Sequence, residues 1–187
     1  MSTFDMLNFN ERRAGSLPVM ISSISPQSLG VQLAAIASAA PASTIVSDVG
    51  MAANSAAFVP FHIVAPITAQ KLFCYNGAAP TGNIDIGIYN ESGTLLVSIG
   101  STAQSGTNAL QVFDIVDAII PAGRHYLAVG VSSASATIFG VQPNAAFCQA
   151  MGMAYMAAAF VLPATVTLAT AKAFVPIIGL AARTLVN

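Results

Sequence analysis

Asn83-Ile-Asp-Ile-Gly-Ile-Tyr-Asn-Glu-Ser-Gly-Thr-Leu-Leu-Val-Ser-Ile99 is the stretch of sequence that decides the fold. Its isoleucines recur at every second position, with Asp85 and Gly87 between them, so the isoleucines share one face of an extended strand. The polar Asn90–Gly93 segment then forms a turn, and Thr94–Ile99 returns. This order predicts a β-hairpin with one apolar face.

Further apolar runs of strand length lie on both sides of this hairpin, separated by turn residues such as Asn76-Gly77. The predicted strands are Phe58–Val64, Ala69–Tyr75, Leu110–Ile115, Arg124–Val131, Ala136–Gly140 and Ala173–Leu180. Pro60 and Pro176 favour edge positions, because proline cannot donate a hydrogen bond to a neighbouring strand. Short strands separated by frequent turns predict a mainly β fold, specifically an antiparallel, jelly-roll-like β-sandwich.

The segments on either side of the strand-rich region are rich in Ala and other small residues. Residues 1–56 are predicted to form an extended N-terminal arm with a short helix over Val31–Ala40, and residues 57–187 the sandwich domain. An insertion at 141–172 belongs to that domain. Phe147, Met151, Ala154 and Ala158 have helical spacing there, which Gly152 weakens. The sequence therefore predicts a long loop or a short helix before the last strand.

Charge is scarce: the 187 residues include six Lys and Arg and seven Asp and Glu, and 55% are hydrophobic. An average soluble protein has roughly a quarter of its residues charged. Two interpretations compete, a membrane protein or a subunit whose faces are buried against neighbours. The uncharged stretches are broken by proline, glycine and polar residues, so no membrane span is predicted. The net charge of −1 also gives no indication of the basic surface that nucleic-acid binding requires.

The interface is predicted in the N-terminal arm and in two charge-poor stretches, Ala14–Ser47 and His125–Ala171. The partners would be a second copy of the chain and other proteins of the same assembly. Met151, Met153 and Met156 are close together and suit an adaptable apolar contact, although filling gaps in the core is the alternative. The predicted interface residues are Arg12, Arg13, Leu33, Ile36, Phe147, Met151, Met153, Met156 and Phe160.

Residues able to carry chemistry are few, and no catalytic, cofactor-binding or metal-binding residues are predicted. His62 and His125 are isolated within strands and lack metal-ligand spacing. Asp114 and Asp117 could contribute to a calcium site or be solvated residues at a strand end. Cys74 and Cys148 have no CxxC spacing and fit buried thiols in a reducing compartment.

Three segments together resemble small β-sandwich proteins from the structural modules of tailed bacteriophages. They are Phe58-Val-Pro-Phe-His-Ile-Val-Ala-Pro-Ile-Thr68, Asn83–Gly93 and Ile120-Pro-Ala-Gly-Arg-His-Tyr-Leu-Ala-Val129. Such proteins include capsid decoration (cement) proteins, head fibres and tail-associated proteins. The resemblance implies a component of the virion, made in the host cytoplasm, with no catalytic residues to carry over.

The expected function is that of a capsid decoration protein, which forms a homo-oligomer, binds the major capsid protein and works without cofactor or chemistry. The alternative is a tail-associated module that binds a receptor or a glycan, although no sequence feature points to a sugar site specifically. A third alternative is an enzyme such as a glycan hydrolase or esterase, which would need Asp85, Asp114 and Asp117, or a Ser/His/Asp set, to converge in space.

Overall fold

A computed structural model describes residues 18–22, 45–143, 145–168 and 173–184. The secondary structure there consists of strands and one short helix, α1 (Ala145–Ala150). In chain order the strands are β1 (Pro18–Ser22), β2 (Ile45–Gly50), β3 (Ser55–Ile63), β4 (Ile67–Tyr75), β5 (Asn83–Asn90), β6 (Leu95–Ser98), β7 (Thr102–Ala103), β8 (Leu110–Ile120), β9 (Gly123–Val131), β10 (Thr137–Val141), β11 (Ala154–Met156), β12 (Val175–Pro176) and β13 (Ile178–Thr184).

These strands form three antiparallel sheets. The four-stranded sheet has the order β1-β13-β4-β8, the three-stranded sheet β12-β10-β2, and the six-stranded sheet β11-β3-β9-β5-β6, with β7 also paired to β5. Consecutive strands repeatedly change sheet: β3 and β5 lie in the six-stranded sheet, whereas β4 lies in the four-stranded one. Such connections are typical of Greek-key and jelly-roll sandwiches. The predicted mainly β, antiparallel sandwich is confirmed.

The main core lies between the four-stranded and six-stranded sheets. The alternating Ile84, Ile86 and Ile88 are fully buried there, and they share one cluster with Leu72 of β4 and Leu180 of β13. Each fully buried aliphatic side chain contributes about 1.5–3 kcal/mol relative to an exposed one. The period-two pattern therefore identified the inner face of β5 correctly.

The predicted hairpin is confirmed, and its turn is held by Asn90. The side-chain Oδ1 of Asn90 accepts hydrogen bonds from Thr94 N (2.8 Å) and from Ser92 Oγ (2.7 Å). Gly93 has a φ of 83°, a left-handed conformation that glycine adopts at little cost. The pairing register of β5 with β6 shifts beside this turn, between Ile88 and Tyr89.

Proline positions agree with the predicted edges. Strand β11 pairs with β3 only at Ala56–Phe58, so at Pro60 the strand has β9 as its neighbour on one side. Pro176 lies in β12, the outer strand of the three-stranded sheet. The predicted closing strand 173–180 is instead two strands, because β12 and β13 pair in different sheets.

Two boundaries differ from the sequence prediction. Strand β8 extends to Ile120 rather than ending at Ile115, so Asp114 and Asp117 lie within the strand and not at its end. The Asn76-Gly77 dipeptide is not a tight hairpin turn. Asn76 forms an isolated bridge with Ile138 and is fully buried, and its amide hydrogen-bonds with the side chains of Gln104, in the loop that follows β7, and of Gln111 in β8.

Helical structure ends earlier than the spacing of Phe147, Met151, Ala154 and Ala158 predicts. Gly152 has a φ of 75° and donates to Gln149 O (3.0 Å), and Met153 N donates to Cys148 O (3.0 Å). These two bonds form a Schellman motif, the usual glycine-dependent end of a helix. The chain then enters β11, so Ala154 and Ala158 are outside the helix.

The predicted arm contributes strands to this chain's own sheets. Strand β1 pairs with β13 over five residues, and β2 pairs with β10. Paired structure thus begins before residue 57, the predicted start of the sandwich. The predicted helix over Val31–Ala40 lies outside the described residues.

Candidate functional site

A segment of the predicted insertion covers the outer face of the six-stranded sheet. We call residues 157–168 the strap. Its Ala159, Leu162 and Val166 are buried in a second apolar cluster with Phe58 and Tyr89 of the sheet. Main-chain hydrogen bonds attach the strap along its length, from Ala159 N to Asn54 O, from Leu95 N to Ala164 O and from Val166 N to Gly93 O. The strap packs on its own chain.

Small residues in the sheet allow this close packing. A Cβ atom at Gly87 would lie 2.9 Å from Leu162 Cδ1, and one at Gly130 would lie 3.3 Å from Ala159 O. Gly87 and Gly130 lie on neighbouring strands, β5 and β9. The absence of side chains at these two glycines therefore allows the strap to pack close to the sheet.

Asp85 lies beneath the strap and is fully buried. Its Oδ2 accepts a hydrogen bond from Leu162 N at 3.0 Å, whereas Oδ1 has no hydrogen-bond partner among the described residues. Burial raises the pKa of this carboxyl, and the hydrogen bond from the Leu162 N–H opposes that rise because it favours the charged form.

Tyr89 extends from the same strand into the strap cluster. Its hydroxyl donates to Pro163 O at 2.7 Å, and its ring packs edge-on against Phe58. Burial, and secondarily the nearby Asp85 charge, raises the pKa of the Tyr89 phenol. Tyr89 therefore acts as an uncharged hydrogen-bond donor that fixes the strap.

The three predicted interface methionines are at least partly buried within the chain itself. Met153 is 7% exposed and belongs to the main core, so the core-filling alternative is correct for it. Met151 is partly buried against that core, and Met156 against the strap cluster. Phe160, in the strap, is partly exposed. The side chains of Arg12, Arg13, Leu33, Ile36 and Phe147 lie outside the described residues.

The acidic residues do not converge. Asp114 pairs with Lys71, and Asp117 Oδ2 accepts from Gln70 Nε2 at 3.2 Å, both on the four-stranded sheet, while Asp85 is buried beneath the strap. The described residues contain no group of three or more His, Cys, Asp or Glu that could hold a metal ion. The solvated interpretation of Asp114 and Asp117 is the one the geometry supports.

The two histidines have unlike surroundings. His62 is exposed, whereas His125 is 2% exposed and its Nε2 lies 2.8 Å from Pro121 O. His125 thereby ties the β8–β9 turn to β9. Both cysteines are buried free thiols, as predicted.

Strand β8 carries an apolar surface that the sequence analysis did not single out. Seven large hydrophobic side chains are exposed among the described residues, and four of them lie on β8: Leu110, Val112, Val116 and Ile119. We call these four the β8 apolar band. Strand β8 is the outer strand of its sheet and pairs only with β4 in the described residues.

A shallow groove lies between two neighbouring turns, that of the β5–β6 hairpin and that between β8 and β9. Asn90 and His125 pair directly across β5 and β9, which brings the turns side by side. The groove has a volume of about 430 Å³ and is lined by Asn90–Ser92 and by Pro121–His125. We call it the turn groove. Its residues are separated by about 30 positions in sequence, so no local motif marks it.

No protein-family model matches the sequence, and no curated protein sequence matches it. Within the described residues, no helix is both long and apolar enough to cross a membrane. Three features of the molecule bear on its function: the strapped face, the β8 apolar band and the turn groove.

Proposed function

We propose that this chain is a structural protein of a bacteriophage virion, and specifically a capsid decoration protein, which acts by binding. The observation that carries the proposal is the β8 apolar band. Val116 and Ile119 are 89% and 68% exposed on the outer strand of a sheet. Apolar surface of this kind is typical of faces that a partner covers.

A second copy of the chain is the proposed partner of the band. In a two-fold symmetric pair the same surface meets itself, so an apolar band finds an apolar band. Of the charges beside the band, Asp114 is neutralised by Lys71, whereas Asp117 accepts a hydrogen bond from the neutral Gln70 and keeps its charge. Open strand edges are also sites where natural sheets extend by pairing with another chain.

The scarcity of charge supports an assembled state over a free monomer. Only 7% of residues are charged, and soluble monomers usually carry far more. A shell component would cover its uncharged faces with neighbours, among them the major capsid protein. The choice of a phage virion as the assembly is based on the resemblance to phage structural proteins. That resemblance is in the segments Phe58–Thr68, Asn83–Gly93 and Ile120–Val129.

Self-association is tested with a pair of valines of equal exposure. Val116 is 89% exposed on β8, and Val64 is 90% exposed after the end of β3. We expect Val116→Lys to shift the mass distribution, measured by sedimentation velocity over a range of concentrations, toward monomer, and Val64→Lys to leave it unchanged. A wild-type chain that is monomeric at all concentrations, or an equal effect of both lysines, would contradict the β8 interface.

The virion role is tested separately, by locating the chain in a cryo-EM map of the native particle. Density for this fold on the outer surface of the shell supports decoration. Density at the tail overturns the decoration role in favour of a tail role, and absence from the particle overturns the virion assignment altogether.

A further inference from the structure

We propose that the turn groove is a binding site for a neutral saccharide. The proposal does not depend on the assembly role, because the groove and the β8 apolar band consist of different residues. Its basis is where this charge-poor chain places its unpaired charges.

Six charged side chains lie in the part of the chain whose side chains the structure describes: Lys71, Asp85, Glu91, Asp114, Asp117 and Arg124. Four of them have partners within the chain: Lys71 pairs with Asp114, Gln70 donates to Asp117, and Leu162 N donates to Asp85. The remaining two, Glu91 and Arg124, both line the turn groove.

Glu91 and Arg124 do not satisfy one another. The Lys71–Asp114 pair is the salt bridge formed within the described residues, and neither Glu91 nor Arg124 has a side-chain hydrogen bond there. Arg124 instead lies over the Tyr126 ring, 5.4 Å from its centroid, and its Nη2 lies beside Gly152, where an added Cβ atom of that residue would overlap it. The groove thus presents a strong acceptor and a strong donor together.

The presence of both a carboxylate and a guanidinium in the groove favours a ligand that can donate and accept hydrogen bonds. An anion would be repelled by Glu91, and a cation by Arg124. A sugar hydroxyl both donates and accepts, so neighbouring hydroxyls can donate to the carboxylate and accept from the guanidinium. Hydrogen bonds to charged groups are roughly twice as strong as those between neutral groups.

The walls of the groove are fixed before any ligand arrives. Asn90 Oδ1 accepts from both Thr94 N and Ser92 Oγ, which holds the first turn. The buried His125 contacts Pro121 O and holds the second. Pro121 and Ala122 supply apolar surface for the carbon skeleton of a sugar. A preformed site loses less conformational entropy on binding than a mobile one.

Saturation-transfer NMR on the full chain tests the site, because it detects weak binding in a protein of any oligomeric state. The probes are glucose, galactose, mannose and N-acetylglucosamine, each at high millimolar concentration, with glycine as a small molecule that carries both charges. We expect a signal from at least one sugar. Glu91→Ala and Arg124→Gln should each weaken its binding about tenfold or more, as loss of a charged hydrogen bond does.

Asp114→Asn is the matched control, since it removes an exposed charge outside the groove and should leave the sugar signal unchanged. Thermal unfolding confirms that each variant is folded. The absence of a signal from every sugar, or signals unaffected by Glu91→Ala and Arg124→Gln, would overturn the proposal. A variant-sensitive signal from glycine alone would overturn the saccharide assignment in favour of a zwitterionic ligand.

Discussion

Leu162 donates its main-chain N–H to Oδ2 of Asp85 at 3.0 Å, across 77 positions of sequence. The contact joins the strap to the middle of the six-stranded sheet and places a carboxyl group where water does not reach. Among the residues that the structure describes, Asp85 has no charged partner, because Lys71 and Arg124 lie at the four-stranded sheet and at the turn groove. The consequence is a buried acid whose pKa is set mainly by desolvation.

Asp85 should make the stability of the protein depend on pH. Its pKa is raised in the folded state, so the folded protein binds this proton more tightly than the unfolded chain. The free energy of unfolding should therefore fall as pH rises from the ordinary aspartate pKa of about 3.9 through the raised value, by about 1.4 kcal/mol for each unit of the rise. Asp85→Asn should remove this fall. Urea unfolding across that pH range measures it, and a constant difference between wild type and variant would contradict it.

Gly93 should be far less tolerant of alanine than Gly100, although both have positive φ, at 83° and 68°. The backbone strain is similar, about 1–2 kcal/mol in each. A Cβ atom at Gly93 would in addition overlap the Val166 carbonyl of the strap, whereas one at Gly100 would meet no atom within 4 Å. We expect Gly93→Ala to cost about 1–3 kcal/mol more than Gly100→Ala in chemical unfolding. Equal losses would show that the strap does not pack on the hairpin turn.

Asn76 should contribute to stability out of proportion to its size. Asn76 is fully buried. Its Nδ2 donates to Gln111 Oε1 at 2.9 Å, and its Oδ1 accepts from Gln104 Nε2 at 2.9 Å. Asn76→Ala removes these hydrogen bonds from a buried position and should lower the free energy of unfolding by about 1–3 kcal/mol. Thr107→Ala, at an exposed position of the same loop, should change it little. A loss no larger than that of Thr107→Ala would refute this role.

The two thiols should be inert until the protein unfolds. Burial raises the pKa of Cys74 to about 12, and burial also raises that of Cys148. The thiolate is the reactive form, so little of it exists near pH 8. We expect Ellman's reagent to modify neither cysteine in the native protein and both in denaturant. Rapid modification of one native thiol would indicate an opening of the core at that residue.

The described sandwich is predictable from local pattern wherever one face of a strand is apolar. The alternation in Asn83–Tyr89 and the polar turn after it identify the hairpin, because a period of two allows only one set of side chains to face the core. Prolines likewise mark Pro60 and Pro176 as edge positions. The charge scarcity indicates covered surfaces, although not which surfaces they are.

Local sequence pattern does not predict every structural feature. The exceptions include Asn76, Met153 and the residues of the turn groove. Asn76-Gly77 has the composition of a turn, yet Asn76 is buried because Gln104 and Gln111 supply its hydrogen bonds from positions far along the chain. Met153 resembles an interface residue by composition, but the Schellman motif at Gly152 turns the chain so that Met153 enters the core.

The sequence by itself determined the fold class, the hairpin, the inner face of β5 and the buried state of the thiols, since each follows from side-chain periodicity or residue type. Only the tertiary structure decided that Asp85 is covered by the strap rather than exposed to water, and that Glu91 and Arg124 both line one groove. The physical reason is that these contacts join residues far apart in sequence. Their energies depend on which segments the fold brings together, and periodicity within a strand carries no information about that.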